Sequence, residues 1–131
     1  VKDFVAKKRE IAFTYSKYLK GFDKIQLPYD GKLVKNSYWL YTIVLAKSLQ
    51  KHRDKIISLL KENDIEVRPT FNPLHLMPPY KEFFSKNNLK NSISISERGI
   101  SLPSSVNMDS DEIQFVCDHL VIAIHRCMNK I

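Results

Sequence analysis

The chain has 131 residues, 44% of them hydrophobic and 27% charged, with a formal net charge of +7. That length suits one domain with a real core, and no apolar run reaches the ~20 residues that cross a bilayer as a helix. Three glycines leave no glycine-rich phosphate cradle, and the basic balance points to an anionic partner: a nucleotide, a phosphate or nucleic acid.

Residues 2–20 have helical spacing, with Phe4, Ile11, Ala12, Tyr15, Tyr18 and Leu19 on the apolar side and Lys7, Lys8, Arg9 and Lys17 on the wetter one. Gly21 stops that helix. Ile25-Gln26-Leu27-Pro28 suits a short strand, and Asp30-Gly31 is a turn signal. Tyr38 through Leu45 is the clearest strand. It is aromatic, β-branched or leucine almost throughout and lacks polar alternation, so both faces are expected to be covered. Residues 49–62 form the next helix, with Ile56, Ile57, Leu59 and Leu60 inward, and Asn63-Asp64 ends it through left-handed geometry. Ile65-Glu66-Val67-Arg68 then alternates as a short strand.

Residues 68–80 hold four of the six prolines, with Arg68, His75, Phe71 and Tyr80 between and beside them. Proline fixes φ and removes a donor, so this segment is neither helix interior nor central strand. It is a stiff loop that presents side chains, or else a connection that only turns a corner. Beyond it, 80–85 suits a short helix and 88–98 a further helical stretch closed by Gly99. Residues 100–103 are extended. Asp109 with Glu112 marks a capping box, and Ile113, Val116, Leu120, Val121 and Ile124 continue an apolar face. Arg126 and Lys130 suit the C-terminal end of that last helix. Helices at both ends with short strands between them predict an α+β fold: one domain, with a small antiparallel or mixed sheet and helices packed mainly on one face.

Cys117 and Cys127, ten residues apart on one helix, are separated by about 15 Å. A disulfide needs Cα atoms within ~7 Å, so they are expected as free thiols in a reducing compartment. His119 follows Cys117 by about 200° around the helix, so no metal site is expected. Nucleic acid is disfavoured because the lysines are spread along the chain and the aromatics lie mostly in apolar patterns. The start, Val1-Lys2-Asp3-Phe4, is no signal peptide. A cytoplasmic protein, without membrane association, and a piece of something longer, is expected. No nucleophile elbow, P-loop, HExxH or CxxC occurs. Arg68 can grip a carboxylate or phosphate with its planar fork, or form a strand-end ion pair. His75 can hydrogen-bond a substrate oxygen, or tie down loop carbonyls. Tyr38 and Tyr41 remain candidates, and Trp39 reads as core rather than ligand platform.

Several short patterns recur in a specific order: Arg9-Glu10-Ile11-Ala12; Asn36-Ser37-Tyr38-Trp39-Leu40-Tyr41; Ile65-Glu66-Val67-Arg68-Pro69; Phe71-Asn72-Pro73-Leu74-His75; Pro78-Pro79-Tyr80; and Gly99-Ile100-Ser101-Leu102-Pro103-Ser104-Ser105. Together they resemble the C-terminal small domain of DegT-type nucleotide-sugar aminotransferases, with perosamine synthase-like enzymes nearest in pattern. The resemblance implies an enzyme using pyridoxal phosphate, dimeric in its full form. It would move an amino group from an amino acid, usually glutamate, to a keto nucleotide-sugar for surface polysaccharides. The Schiff-base lysine of such enzymes belongs to a large domain, and no lysine here sits in a matching motif. The resemblance therefore implies no catalytic residue in this chain, no cofactor bound to it alone, and dependence on that large domain. Arg68, Phe71, His75, Tyr80, Tyr38 and Trp39 would contribute to a substrate cleft. A stand-alone nucleotide-sugar or anion-binding module is the alternative. Dependence on a missing large domain further implies an exposed apolar face around the Tyr38–Leu45 strand or the first helix.

Overall fold

A computed structural model describes residues 1–31, 33–84 and 89–129. Along these run α1 (Lys2–Leu19), β1 (Ile25–Gln26), β2 (Tyr41–Leu45), α2 (Arg53–Lys61), β3 (Arg68–Pro69), α3 (Lys90–Arg98), β4 (Gly99–Leu102) and α4 (Ser110–Met128). Tight 3-10 turns occupy Lys47–His52, Leu74–Leu76 and Pro78–Phe84. The strands make one antiparallel sheet in the order β1-β2-β4-β3. Helices α1 and α2 both pack against α4, and the stripe Ile11, Ala12, Tyr15, Leu19 of α1 meets Tyr41, Ile43 and Leu45 in one core. This is the α+β arrangement that the sequence predicts.

The helix ends follow local chemistry. Asp109 accepts the Glu112 amide and Glu112 accepts the Asp109 amide, a complete capping box that fixes the start of α4. Gly21 takes φ +83° just after α1, a conformation glycine adopts without strain. Asp64 takes φ +58° after α2, and the Ile65 amide returns to the Leu60 carbonyl. In α4, Ile113, Val116, Leu120 and Ile124 are buried as expected, while Val121 is half-buried. Lys130 lies outside the described residues, as do the two outer ends, 85 and 88, of the helical stretches expected around the proline segment.

Several expectations are corrected. Nothing in α1 before Ile11 is buried, so Phe4 overhangs the core and stays exposed. Tyr18, at the margin, is also exposed and shares a hydrogen bond with the Ser110 hydroxyl. The strand begins at Tyr41 rather than Tyr38, because Tyr38 has φ +49° and its amide donates to the Asn36 side chain. Within β2 the faces alternate: Tyr41, Ile43 and Leu45 are buried, and Thr42 and Val44 are half-buried. Residues 49–62 are not one helix, since a 3-10 turn runs through His52 before α2.

Ile65 and Val67 do point inward and Glu66 and Arg68 outward, yet ladder pairing starts only at Arg68, opposite Ser101. Extending that register sets Glu66 opposite Pro103, which has no amide to donate. Pro69 sits in β3 at the sheet edge, where a missing donor is tolerated. Gly99 is not a left-handed stop: it has φ −79° and opens β4. Its requirement is space, since a Cβ there would lie 2.3 Å from the Thr70 methyl.

Candidate substrate-binding surface

The turn before β2 separates two neighbouring aromatics. Asn36 holds Tyr38 in its left-handed conformation, and the Tyr38 ring turns inward against Phe13 and Tyr41, with ring centroids at 6.3 Å in each case. The Arg9 guanidinium lies 5.9 Å from that ring, donates to the Asn36 carbonyl and reaches Asp30 at 3.6 Å. Arg9 thus ties α1 to the 30–38 loop, although its place among lysines had suggested only a wet face. Burial, with the Asp30 carboxylate nearby, pushes the Tyr38 phenol up from its ordinary pKa. Tyr41 is fully buried and stacked 4.7 Å from Tyr15. Both are core residues rather than an exposed platform.

Trp39 goes the other way. It is 70% exposed, which overturns its reading as core, and stacks nearly parallel on Phe71 with centroids 6.1 Å apart and an angle of 13°. Phe71 is 72% exposed. Two large, nearly parallel rings held at the surface are costly to leave in water and ready to take a flat partner. Thr70, just before Phe71, anchors the segment: its amide donates to the Gly99 carbonyl at 3.2 Å and its hydroxyl to the Ser96 carbonyl at 3.1 Å.

Beside this pair lies a shallow cavity of about 250 Å³, lined among others by Lys8, Trp39, Arg68 and Ser104. Arg68 is exposed and donates to Glu66 at 2.8 Å, the strand-end ion pair that the sequence offered as one alternative. That hydrogen bond holds the Glu66 carboxyl below its ordinary pKa. Lys8 crosses from α1 and donates to the Ser104 hydroxyl at 2.9 Å and to the Ser104 carbonyl. Partial burial lowers its pKa, so a nearby anion would stabilise its charged form. Sequence reasoning missed Lys8 and Ser104. The Pro103-Ser104-Ser105 run was a signal, but nothing distinguished Lys8 from the lysines around it.

His75 is half-buried in the Leu74–Leu76 turn and Tyr80 exposed in the Pro78–Phe84 turn, two adjoining pieces of the proline segment. The structure therefore brings Trp39, Phe71 and Arg68 to one surface, turns Tyr38 into the core, and sets His75 and Tyr80 on neighbouring turns. Among the described residues, no three His, Cys, Asp or Glu side chains cluster to hold a metal. No described helix is long and apolar enough to cross a membrane.

The fold and the sequence have clear relatives. Residues 1–121 match the model of the DegT/DnrJ/EryC1/StrS aminotransferase family. The chain belongs to that family. It is 36% identical over 118 residues to a GDP-perosamine synthase of Vibrio cholerae, a match covering 90% of this chain and 32% of the relative. A GDP-perosamine synthase of Escherichia coli O157:H7 is 30% identical over 118 residues, covering 90% and 31%. Among solved structures, Helicobacter pylori PseC, an aminotransferase involved in the biosynthesis of pseudoaminic acid, superposes with a TM-score of 0.82. It has 21% identity and covers 93% of this chain and 33% of that one. The chain therefore spans about a third of the length of the relatives it matches.

Enzymes of this family use pyridoxal phosphate, and the cavity beside Trp39 offers it no free lysine amine. The amine of Lys8 is committed to Ser104, and the acid lining the same cavity, Glu66, is committed to Arg68. An aldimine-forming lysine needs a free amine beside the cofactor.

Proposed function

We propose that these residues form the C-terminal small domain of a pyridoxal-phosphate-dependent enzyme. That enzyme would transfer an amino group from an amino acid, glutamate by resemblance, to a keto nucleotide-sugar destined for surface polysaccharide. In this reading residues 1–131 are one domain supplying one wall of the substrate cleft. The cofactor lysine belongs to a large domain of the same polypeptide, and the full enzyme is a homodimer in the cytoplasm. The cofactor supplies the electron sink for amino transfer when bound. This chain's residues would bind and orient the sugar nucleotide. Trp39 and Phe71 would offer a flat apolar surface to it, Arg68 and Lys8 would face its diphosphate, and His75 and Tyr80 would line the adjoining wall. Tyr38 would support the wall from beneath, through the turn that throws Trp39 outward.

The observation that carries this reading is the exposed Trp39–Phe71 stack set beside two cations. It also supports the alternative, a nucleotide-sugar-binding module that works alone, and one experiment separates them. Trp39 is the single tryptophan, so its fluorescence reports on this surface. Titration of the chain with GDP-mannose should quench it saturably if the wall binds by itself. Weak binding here that tightens at least tenfold on adding a lysine-bearing large domain from a relative supports the two-domain cleft. Amino transfer from glutamate should require that large domain. Transfer catalysed by the 131-residue chain alone with pyridoxal phosphate would overturn the proposal.

A further inference from the structure

Away from the Trp39 surface, a cleft of about 640 Å³ opens between the start of α2 and the end of α4, lined by His52, Lys55, Leu59, Arg126, Cys127 and Asn129. None of these described lining residues is acidic. The other arginines of the chain are all matched: Arg9 to the Asn36 carbonyl, Arg53 to the Ser96 carbonyl, Arg68 to Glu66 and Arg98 to the Leu45 carbonyl. Arg126 and Lys55 differ, since among the described residues neither side chain makes a hydrogen bond or ion pair. The His52 Nε2 is buried with no hydrogen-bond partner. A buried polar atom left unpaired costs free energy, and native proteins rarely leave one so.

A purely structural account covers only part of this. Arg126 in the last turn of α4 is favourable against the negative end of that helix dipole. Lys55 is in the first turn of α2, and His52 is at its N-cap, without a capping hydrogen bond. A cation at a helix N-terminus opposes the dipole rather than complementing it. Two cations and an imidazole thus converge on one cleft, and Leu59 and Cys127 contribute apolar surface that weakens solvent screening.

We propose that this cleft is an anion site separate from the Trp39 surface, taking a phosphate group between Lys55, Arg126 and the His52 ring. A dianion there would meet two cationic side chains that no other described group engages, beside the His52 ring. The ligand class is inorganic phosphate or the phosphate of a small monoester.

The test is a titration of the ¹⁵N-labelled chain with inorganic phosphate, and separately with glucose 1-phosphate, at constant pH and ionic strength. Saturable amide shifts at residues 52–55 and 126–129 are expected, with at least tenfold weaker binding in the Lys55→Gln/Arg126→Gln variant and unchanged binding in Arg68→Gln. A tighter response to one probe tells free phosphate from monoester. Both substituted side chains are exposed, so a native-like spectrum is expected for the variant. The single variants Lys55→Gln and Arg126→Gln should each weaken binding as well. Shifts that grow linearly without saturating, that centre on Lys8 and Arg68, or that persist in the double variant would overturn the proposal.

Discussion

Gly99→Ala tests how the proline segment is held against the sheet. A methyl there would sit 2.3 Å from the Thr70 methyl, 2.6 Å from its hydroxyl and 2.9 Å from the Ile95 carbonyl. Each distance is well inside contact, and the last is to backbone, so the segment must move. Overpacking of this kind costs about 1–3 kcal/mol. With an unfolding entropy of about 2.1 cal/mol/K per residue, a chain of this length should lose roughly 4–11 °C in Tm. The displaced residue is Thr70, and Phe71 follows it, so the Trp39 stack should loosen and its fluorescence change in the native state. Thr70→Ala alone should cost about 1 kcal/mol through its lost hydroxyl hydrogen bond. In Gly99→Ala/Thr70→Ala the methyl meets no threonine side chain, and the combined loss should be clearly smaller than the sum of the two. Urea unfolding of the four proteins, followed by circular dichroism, gives the cycle. Additive losses, or a Gly99→Ala protein as stable as the parent, would refute the close approach.

Three further outcomes follow from the packing. Asp109→Ala removes the capping box of α4 and should cost about 1 kcal/mol in urea unfolding; Asp109→Asn should retain most of that. Burial pushes the Tyr41 phenol up from 10.0 to about 12 and the Cys117 thiol up from 9.0 to about 12. The unfolded chain then loses these protons first, so stability should hold below about pH 9 and fall as pH rises from there toward 12. Tyr41→Phe should remove on the order of 2 kcal/mol of that alkaline loss, read as a flatter urea midpoint against pH. Cys117 and Cys127 are 3% and 5% exposed, so a thiol reagent should modify them only as fast as the protein opens, and at once in urea.

Much of the fold was legible because its signals are local. The Asp109–Glu112 pair marks the start of α4, Gly21 the end of α1, and Asp64 the end of α2, each through conformations that depend on nearby residues. What was not legible depends on contacts distant in the chain. The apolar run from Tyr38 has the composition of a strand throughout, yet Tyr38 lies in the left-handed region, where Asn36 and the aromatic contacts of Phe13 and Arg9 hold it. Intrinsic strand preference loses there to tertiary packing. The Trp39–Phe71 stack and the Lys8–Ser104 hydrogen bond join residues that no local pattern links.

Exposed apolar groups do lie around the start of the Tyr38–Leu45 run and along the first helix, as expected, and their exact placement bears on what the surface can do. On the outer side of the central strands, Thr42 and Ser101 share a hydrogen bond of 2.9 Å beside the half-buried Val44, so this face has small side chains around a polar pair rather than a second core. The exposed apolar rings stand at its rim, as Trp39 and Phe71, and along α1, as Phe4 and Phe13. A surface meant only to be sealed by another layer would carry its apolar groups at the centre, where burial excludes water best. A polar floor, aromatic walls and nearby Lys8 and Arg68 instead suit a ligand with flat, hydroxylated and anionic parts. A nucleotide-sugar has all three, which supports the substrate wall proposed above over a simple domain interface.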